Sequence, residues 1–147
     1  RRERDAAAIA AGGSDLGWVV KARPDSDGNI GRVEAINLET RKTVWSRRQR
    51  APESSALLAT AGGLLFEGSR DRWFRALDQA TGKPLWQIRL SAAPSSFPIT
   101  YAVDGKQYVA VVAGGGGAHD ITWPALTPEN ENPAGATTLY VFQLPER

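Results

Sequence analysis

Few side chains in this 147-residue chain are of types that do chemistry, and each has a plain structural alternative. His119 is the single histidine. With only Asp120 beside it, it lacks the partners of a transition-metal site, which leaves a proton shuttle at a pocket mouth or a solvated loop imidazole. Asp71 and Asp78 are two carboxylates in neighbouring stretches. Neither lies in an apolar run that would raise its pKa towards that of a general base. Asp78 belongs to a turn motif, and Asp71, between Arg70 and Arg72, reads as a hairpin tip. Gly114 to Gly117 follow a strand-like stretch, but no Lys-Ser/Thr follows and no helix opens there, so they are not a phosphate cradle. They end a strand and let backbone approach something closely. Arg47-Arg48-Gln49-Arg50 is the densest positive cluster, suited to steering an acidic partner or to lining a solvated strand and turn. With no cysteine there is no disulfide, thiolate metal site or cysteine nucleophile.

The elements that must position these residues are short. From Leu16 onward, apolar runs alternate with turn signals: Trp18 to Val20, Val33 to Leu38, Thr43 to Ser46, Leu57 to Thr60, Leu64 to Phe66, Trp73 to Leu77, Leu85 to Leu90, Ile99 to Val103, Gln107 to Ala113 and Leu139 to Leu144. Strands recurring at this spacing, with no sustained 3.6-residue apolar period, predict an all-β chain. Ala61-Gly62-Gly63 and Asp104-Gly105 mark tight hairpins. Residues 1–15 read as a poorly structured leader, and residues 114–137, with Pro124, Pro128 and Pro133, as a long loop of functional or partner-facing character. Hydrophobic residues make up 41% of the chain, which argues against wholesale disorder. A net charge of +2 gives no strong pull towards nucleic acid or anionic membrane. No apolar run is long enough for a membrane span, and no signal-peptide h-region follows the charged start. The chain begins Arg1-Arg2 without methionine, so it reads as processed, truncated or part of a longer chain.

One self-match organises the whole. Ala35-Ile36-Asn37-Leu38-Glu39-Thr40-Arg41-Lys42-Thr43-Val44-Trp45 aligns with Ala76-Leu77-Asp78-Gln79-Ala80-Thr81-Gly82-Lys83-Pro84-Leu85-Trp86, at an offset of 41 residues. A period near 40 with strand texture is the signature of a β-propeller blade. Ala suits crowded strands, Asx caps the turn, Gly82 takes a positive φ, and Trp packs between adjacent blades. Arg41 replaces that glycine in the first copy, at an expected cost of about 1 kcal/mol if φ is positive there.

These residues, with Ala59-Thr60-Ala61-Gly62-Gly63, Pro98-Ile99-Thr100-Tyr101 and Gly105-Lys106-Gln107-Tyr108-Val109-Ala110, resemble the C-terminal region of the pyrroloquinoline quinone (PQQ) dependent alcohol and sugar dehydrogenases. The resemblance spans roughly residues 31 to 145. It implies an eight-bladed propeller with PQQ on its axis and a bound Ca²⁺ or lanthanide ion. It also implies periplasmic oxidation of an alcohol or sugar, with electrons passing to a cytochrome or quinone. By the same resemblance the metal ligands, the catalytic base and the main stacking tryptophan lie outside this span, so no catalytic or metal-binding residue is expected here. Ser54 stands where methanol-dehydrogenase-like members carry a tryptophan near the cofactor. Ser54 and Ser55 are thereby candidates to hydrogen-bond a quinone oxygen or carboxylate. Gly115, Gly116 and Trp123 resemble the segment passing the mouth of the funnel above PQQ. The Arg47 to Arg50 cluster would then face a cytochrome.

At about 41 residues per repeat the chain makes about three blades, and closed propellers need at least four. The expected division is a partial blade over 16–49, a full blade over 56–90 and a last blade over 98–147. The fold class is therefore all-β, a partial β-propeller of two to three antiparallel blades. Such a piece exposes blade faces and needs the remaining blades, on a parent chain or other subunits, to cover them. Two rival readings are a non-catalytic propeller scaffold for protein–protein interaction and a fragment that oligomerises into a ring. The Pro98 to Gly117 stretch resembles the dehydrogenases and not the scaffold.

Overall fold

The computed structural model describes residues 21–115, 123–133, 135 and 137–145. The expected leader and the strand expected at Trp18 to Val20 lie outside them. Among the described residues there are nine strands: β1 (Gly31–Ile36), β2 (Thr43–Gln49), β3 (Leu58–Ala59), β4 (Leu64–Gly68), β5 (Trp73–Asp78), β6 (Pro84–Arg89), β7 (Ile99–Val103), β8 (Lys106–Gly114) and β9 (Thr137–Gln143). They form three antiparallel sheets in chain order: β1-β2, β3-β4-β5-β6 and β7-β8-β9. The fold is a partial β-propeller. A short 3₁₀ helix, Trp123–Ala125, is the one helical element among the described residues. The last strand starts at Thr137 and not at Leu139, which shortens the loop before it.

The inner strands of the middle sheet, β4 and β5, are buried on both faces, which is why they lack an alternating apolar–polar pattern. Leu65 and Leu77 face the first sheet and pack with Val33 and Trp45. Phe66, Phe74 and Ala76 face the third and pack with Leu90, Val109, Val111 and Ala113. Phe74 is the centre of an aromatic stack, 5.9 Å from Phe66 and 6.0 Å from Phe142. Full burial of such a ring contributes about 2–3 kcal/mol.

The turns carry the expected chemistry. Asn37 Oδ1 accepts from the backbone N–H groups of Glu39 and Thr40, and Asp78 Oδ1 accepts from the N–H and hydroxyl of Thr81. Gly82 has φ +71° and its repeat partner Arg41 φ +56°, so the first copy does hold an arginine in the left-handed region. Asp104 and Gly105 both have positive φ, as a two-residue hairpin of primed type requires.

Trp45 docks forward into the next sheet. Its indole Nε1 donates to the Gln79 carbonyl at 3.0 Å. Its ring lies so close to Gly82 that a Cβ there would sit 2.5 Å from Cε3. Trp86, its repeat partner, meets Phe142 of the third sheet edge-on at 5.2 Å. Both tryptophans therefore pack between adjacent blades.

Candidate functional site

The candidate residues gather at one end of the sheets, where each blade is entered. Ser54 and Ser55 donate their backbone N–H groups to the Gly68 carbonyl, at 2.9 and 3.2 Å. The same arrangement recurs one repeat later, where the Ser95 N–H donates to the Val112 carbonyl at 2.9 Å. Isolated bridges Glu53–Ser69 and Pro94–Ala113 fix that equivalence. The first task of Ser54-Ser55 and Ser95-Ser96 is thus to pin a blade's entry segment to its second strand. Extending the 41-residue offset past the tryptophan motif would have found this in the sequence. The Ser55 hydroxyl donates to the Ala56 carbonyl at 2.9 Å, whereas the Ser54 hydroxyl makes only a long 3.4 Å contact with the Gly68 carbonyl. Ser54 therefore has the more available donor.

Trp123 is brought to the same end. The Arg70 guanidinium lies 5.5 Å from its ring centroid, a cation–π geometry, and the Arg70 N–H donates to the Pro52 carbonyl beside Ser54. The loop carrying Trp123 is stitched down at three further points. Arg50 pairs with Glu129 at 2.6 Å and donates to the carbonyls of Leu126 and Gly28. Asn132 donates to the Arg70 carbonyl at 3.0 Å and accepts from the Ala93 N–H at 2.7 Å. Gly115 is exposed just beyond Gly114, whose N–H donates to the Ala93 carbonyl at this end too. Gly116 and His119 lie outside the described residues.

The other candidates are structural. Asp78 caps its turn, and the Thr81 hydroxyl and then the Thr81 N–H hold its carboxyl below the usual carboxylate range. Asp71 accepts from the Ser69 hydroxyl and pairs with Arg75 at 3.5 Å. In the arginine cluster Arg47 bonds Glu67, Arg48 bonds Asp27 and Arg50 bonds Glu129. These guanidiniums are committed within the chain, which leaves the solvated-strand reading ahead of a docking patch. Among the described residues no group of three or more His, Cys, Asp or Glu side chains could hold a metal. A crevice lined by Thr60, Ala61, Phe66, Thr100, Lys106 and Leu144 lies at the opposite end, among the hairpin turns, and contains none of the candidates.

Sequence reasoning missed a polar joint between the first two sheets. Glu67 on β4 is fully buried and accepts from both Arg47 and Arg75 at 3.1 Å. Glu53 accepts from Gln49 at 2.6 Å, and burial, reinforced by the neighbouring Glu67, pushes its carboxyl up to about 10 against the pull of Arg47 and Arg75.

A family model for the glucose/ethanol/alcohol dehydrogenase β-propeller domain, PQQ, matches residues 20–109. The chain is 35% identical over 135 residues to a quinoprotein alcohol dehydrogenase, PedE, of Pseudomonas putida, covering 91% of this chain and 21% of that protein. It is 37% identical over 137 residues to a 1-butanol dehydrogenase (cytochrome c) of Thauera butanivorans, covering 93% of this chain and 19% of that one. Among solved structures, a europium-containing methanol dehydrogenase superposes with a TM-score of 0.68 at 34% identity, over 80% of this chain and 24% of its own. A quinohemoprotein alcohol dehydrogenase from Comamonas testosteroni gives 0.67 at 31% identity, over 84% of this chain and 18% of its own. The chain spans about a fifth of the length of these relatives.

Proposed function

The chain belongs to the PQQ glucose/ethanol/alcohol dehydrogenase β-propeller family, and from that premise we propose that it forms blades of a periplasmic dehydrogenase oxidising an alcohol or sugar. Electrons pass to a cytochrome or quinone, and the chain by itself is catalytically incomplete. The observation that carries this reading is the family match across the tryptophan-docked first and middle sheets, joined to an unclosed set of three sheets. Apolar side chains of the third sheet, Ile99, Val103, Leu139 and Val141, stand exposed, as they would where further blades cover them. The proposed division keeps a partial blade within 16–49, a full blade over 56–90 and a last blade over 98–147.

Bound PQQ would supply the two-electron oxidant, with a Ca²⁺ or lanthanide ion as Lewis acid. The donors present here fit the rim of such a group; among the described residues no three His, Cys, Asp or Glu side chains are placed to hold its metal. The Ser54 hydroxyl, only weakly held by the Gly68 carbonyl, can turn to donate to a quinone oxygen or carboxylate. Ser55 fixes the segment that carries it. Gly115 presents exposed bare backbone that a flat ring can approach. Trp123, braced by Arg70, offers an apolar wall at the substrate entry.

The mass of the native species together with its quinone absorbance tests this. A monomer of 15.8 kDa, or an aggregate, without a quinone band is the expected result. A defined multimer of this chain retaining quinone would refute catalytic incompleteness and favour a ring built from several copies.

A further inference from the structure

The two joints between sheets are built from the same register positions with opposite chemistry. At the first joint these positions hold Arg47 and Gln49 on β2, Glu53 in the entry segment, Glu67 on β4 and its cross-strand neighbour Arg75 on β5. One repeat later they hold Ile88, Leu90, Pro94, Val111 and its cross-strand neighbour Tyr140. This set packs the second joint without a carboxyl or a guanidinium; its one titratable member is Tyr140, whose hydroxyl donates to Ser91. The fold therefore does not require the polar set at the first.

With Asp71, which pairs with Arg75, the polar set has one more carboxyl than guanidinium. Arg47 and Arg75 supply two guanidiniums; Glu53, Glu67 and the half-buried Asp71 supply three carboxyls. Both guanidiniums donate to one oxygen of Glu67, Oε1, and Arg75 also donates to the Ser69 hydroxyl at 2.7 Å. Gln49 occupies Oε1 of Glu53. The remaining oxygens, Oε2 of Glu53 and Oε2 of Glu67, are buried and have no hydrogen-bond partner. Two buried acceptors without a donor are costly, and two ionised carboxylates sharing a dry site repel.

We propose that Glu53 and Glu67 hold one proton between them, making the first joint a proton-locked latch that opens in alkali. One proton removes both defects: it gives the orphaned oxygens a donor and acceptor, and it brings the five charged groups to neutrality. Glu53 is the proton's home, because the two guanidiniums favour charge on Glu67. The latch lies directly before Ser54, so its opening would loosen the entry segment from β4. No comparable lock exists at the second joint, where Pro94 and Val111 cannot titrate.

The test uses the full chain and Glu53→Gln, whose amide can donate to Glu67 while its oxygen still accepts from Gln49. Infrared spectroscopy reads the C=O stretch of a protonated carboxyl, and urea unfolding reads stability across the same alkaline titration. A buried protonated-carboxyl band is expected at neutral pH and is expected to vanish in Glu53→Gln. The unfolding constant of the unsubstituted chain is expected to rise by up to about tenfold per pH unit relative to the variant, because the folded state holds a proton the unfolded state releases. Absence of the band, or the same pH dependence in both proteins, would overturn the proposal. Stabilisation by added Na⁺ or Ca²⁺ without the band would overturn it in favour of a bound cation. If Glu53→Gln does not fold, the band in the unsubstituted chain, and its loss in alkali, decide alone.

Discussion

Replacing Gly82 by alanine is expected to spring the joint between the first two blades. Three costs add at that position. The backbone has φ +71°, which charges a Cβ about 1 kcal/mol. The new Cβ would fall 2.5 Å from Cε3 and 2.7 Å from Cδ2 of Trp45, so the ring must move; such overpacking costs about 1–3 kcal/mol. A displaced ring loses the 3.0 Å bond from its indole N–H to the Gln79 carbonyl, about 1 kcal/mol. The expected loss is roughly 2–4 kcal/mol, allowing for partial relaxation. Gly105→Ala is the matched comparison, because Gly105 has φ +76° and nothing within 4 Å of its would-be Cβ. It should lose only the backbone term, about 1 kcal/mol. Urea unfolding followed by tryptophan fluorescence and circular dichroism reads both. In a Trp45→Ala background the extra loss at Gly82 should disappear, since the clash has no partner. Equal losses at Gly82 and Gly105, or an undiminished Gly82 loss without Trp45, would refute the docking argument.

Trp86→Ala should cost about 1.5–3 kcal/mol, below the range for a buried tryptophan because the residue is 39% exposed, and a change under about 0.5 kcal/mol in urea unfolding would contradict its contact with Phe142. Asp78→Ala should lower the melting temperature at neutral pH by unmaking the cap on Thr81. Because the folded carboxyl titrates below its unfolded value, that difference should fade as pH falls through the folded pKa, as a pH series of melting curves would record. Arg50→Ala should free the segment after Trp123 and speed protease nicking within residues 123–133, while an unchanged digestion pattern would mean that Asn132 and Arg70 hold it unaided.

Much of the architecture was legible because its signals are local. The Asx caps, Gly82 and the tryptophans sit within eleven residues of one another in each repeat, and each states a backbone or packing need at its own position. Arg41 at the glycine position showed where a positive φ would be forced, and the structure has it. The polar joint was not legible. Glu67 falls just past the strand read as Leu64 to Phe66, and its burial is made tolerable by Arg75 and by Arg47, the latter twenty positions away. The clasp on the Trp123 loop joins Arg50 to Glu129 across 79 positions, a pairing no local pattern announces. Ser54 and Ser55 came to attention through a family likeness, whereas their structural duty was written in the repeat itself.

Arg41 has one more consequence. The tryptophan joint is heterologous: a ring on one repeat drops onto bare backbone in the turn of the next, so every repeat has an unlike front and back. Such contacts propagate until a ring closes, and two loose copies can in principle thread onto each other without end. In this chain the glycine position of the first turn is held by Arg41, and the third sheet has no fourth strand among the described residues to offer an indole. A tryptophan docking on the first turn would meet Arg41 where Trp45 meets Gly82.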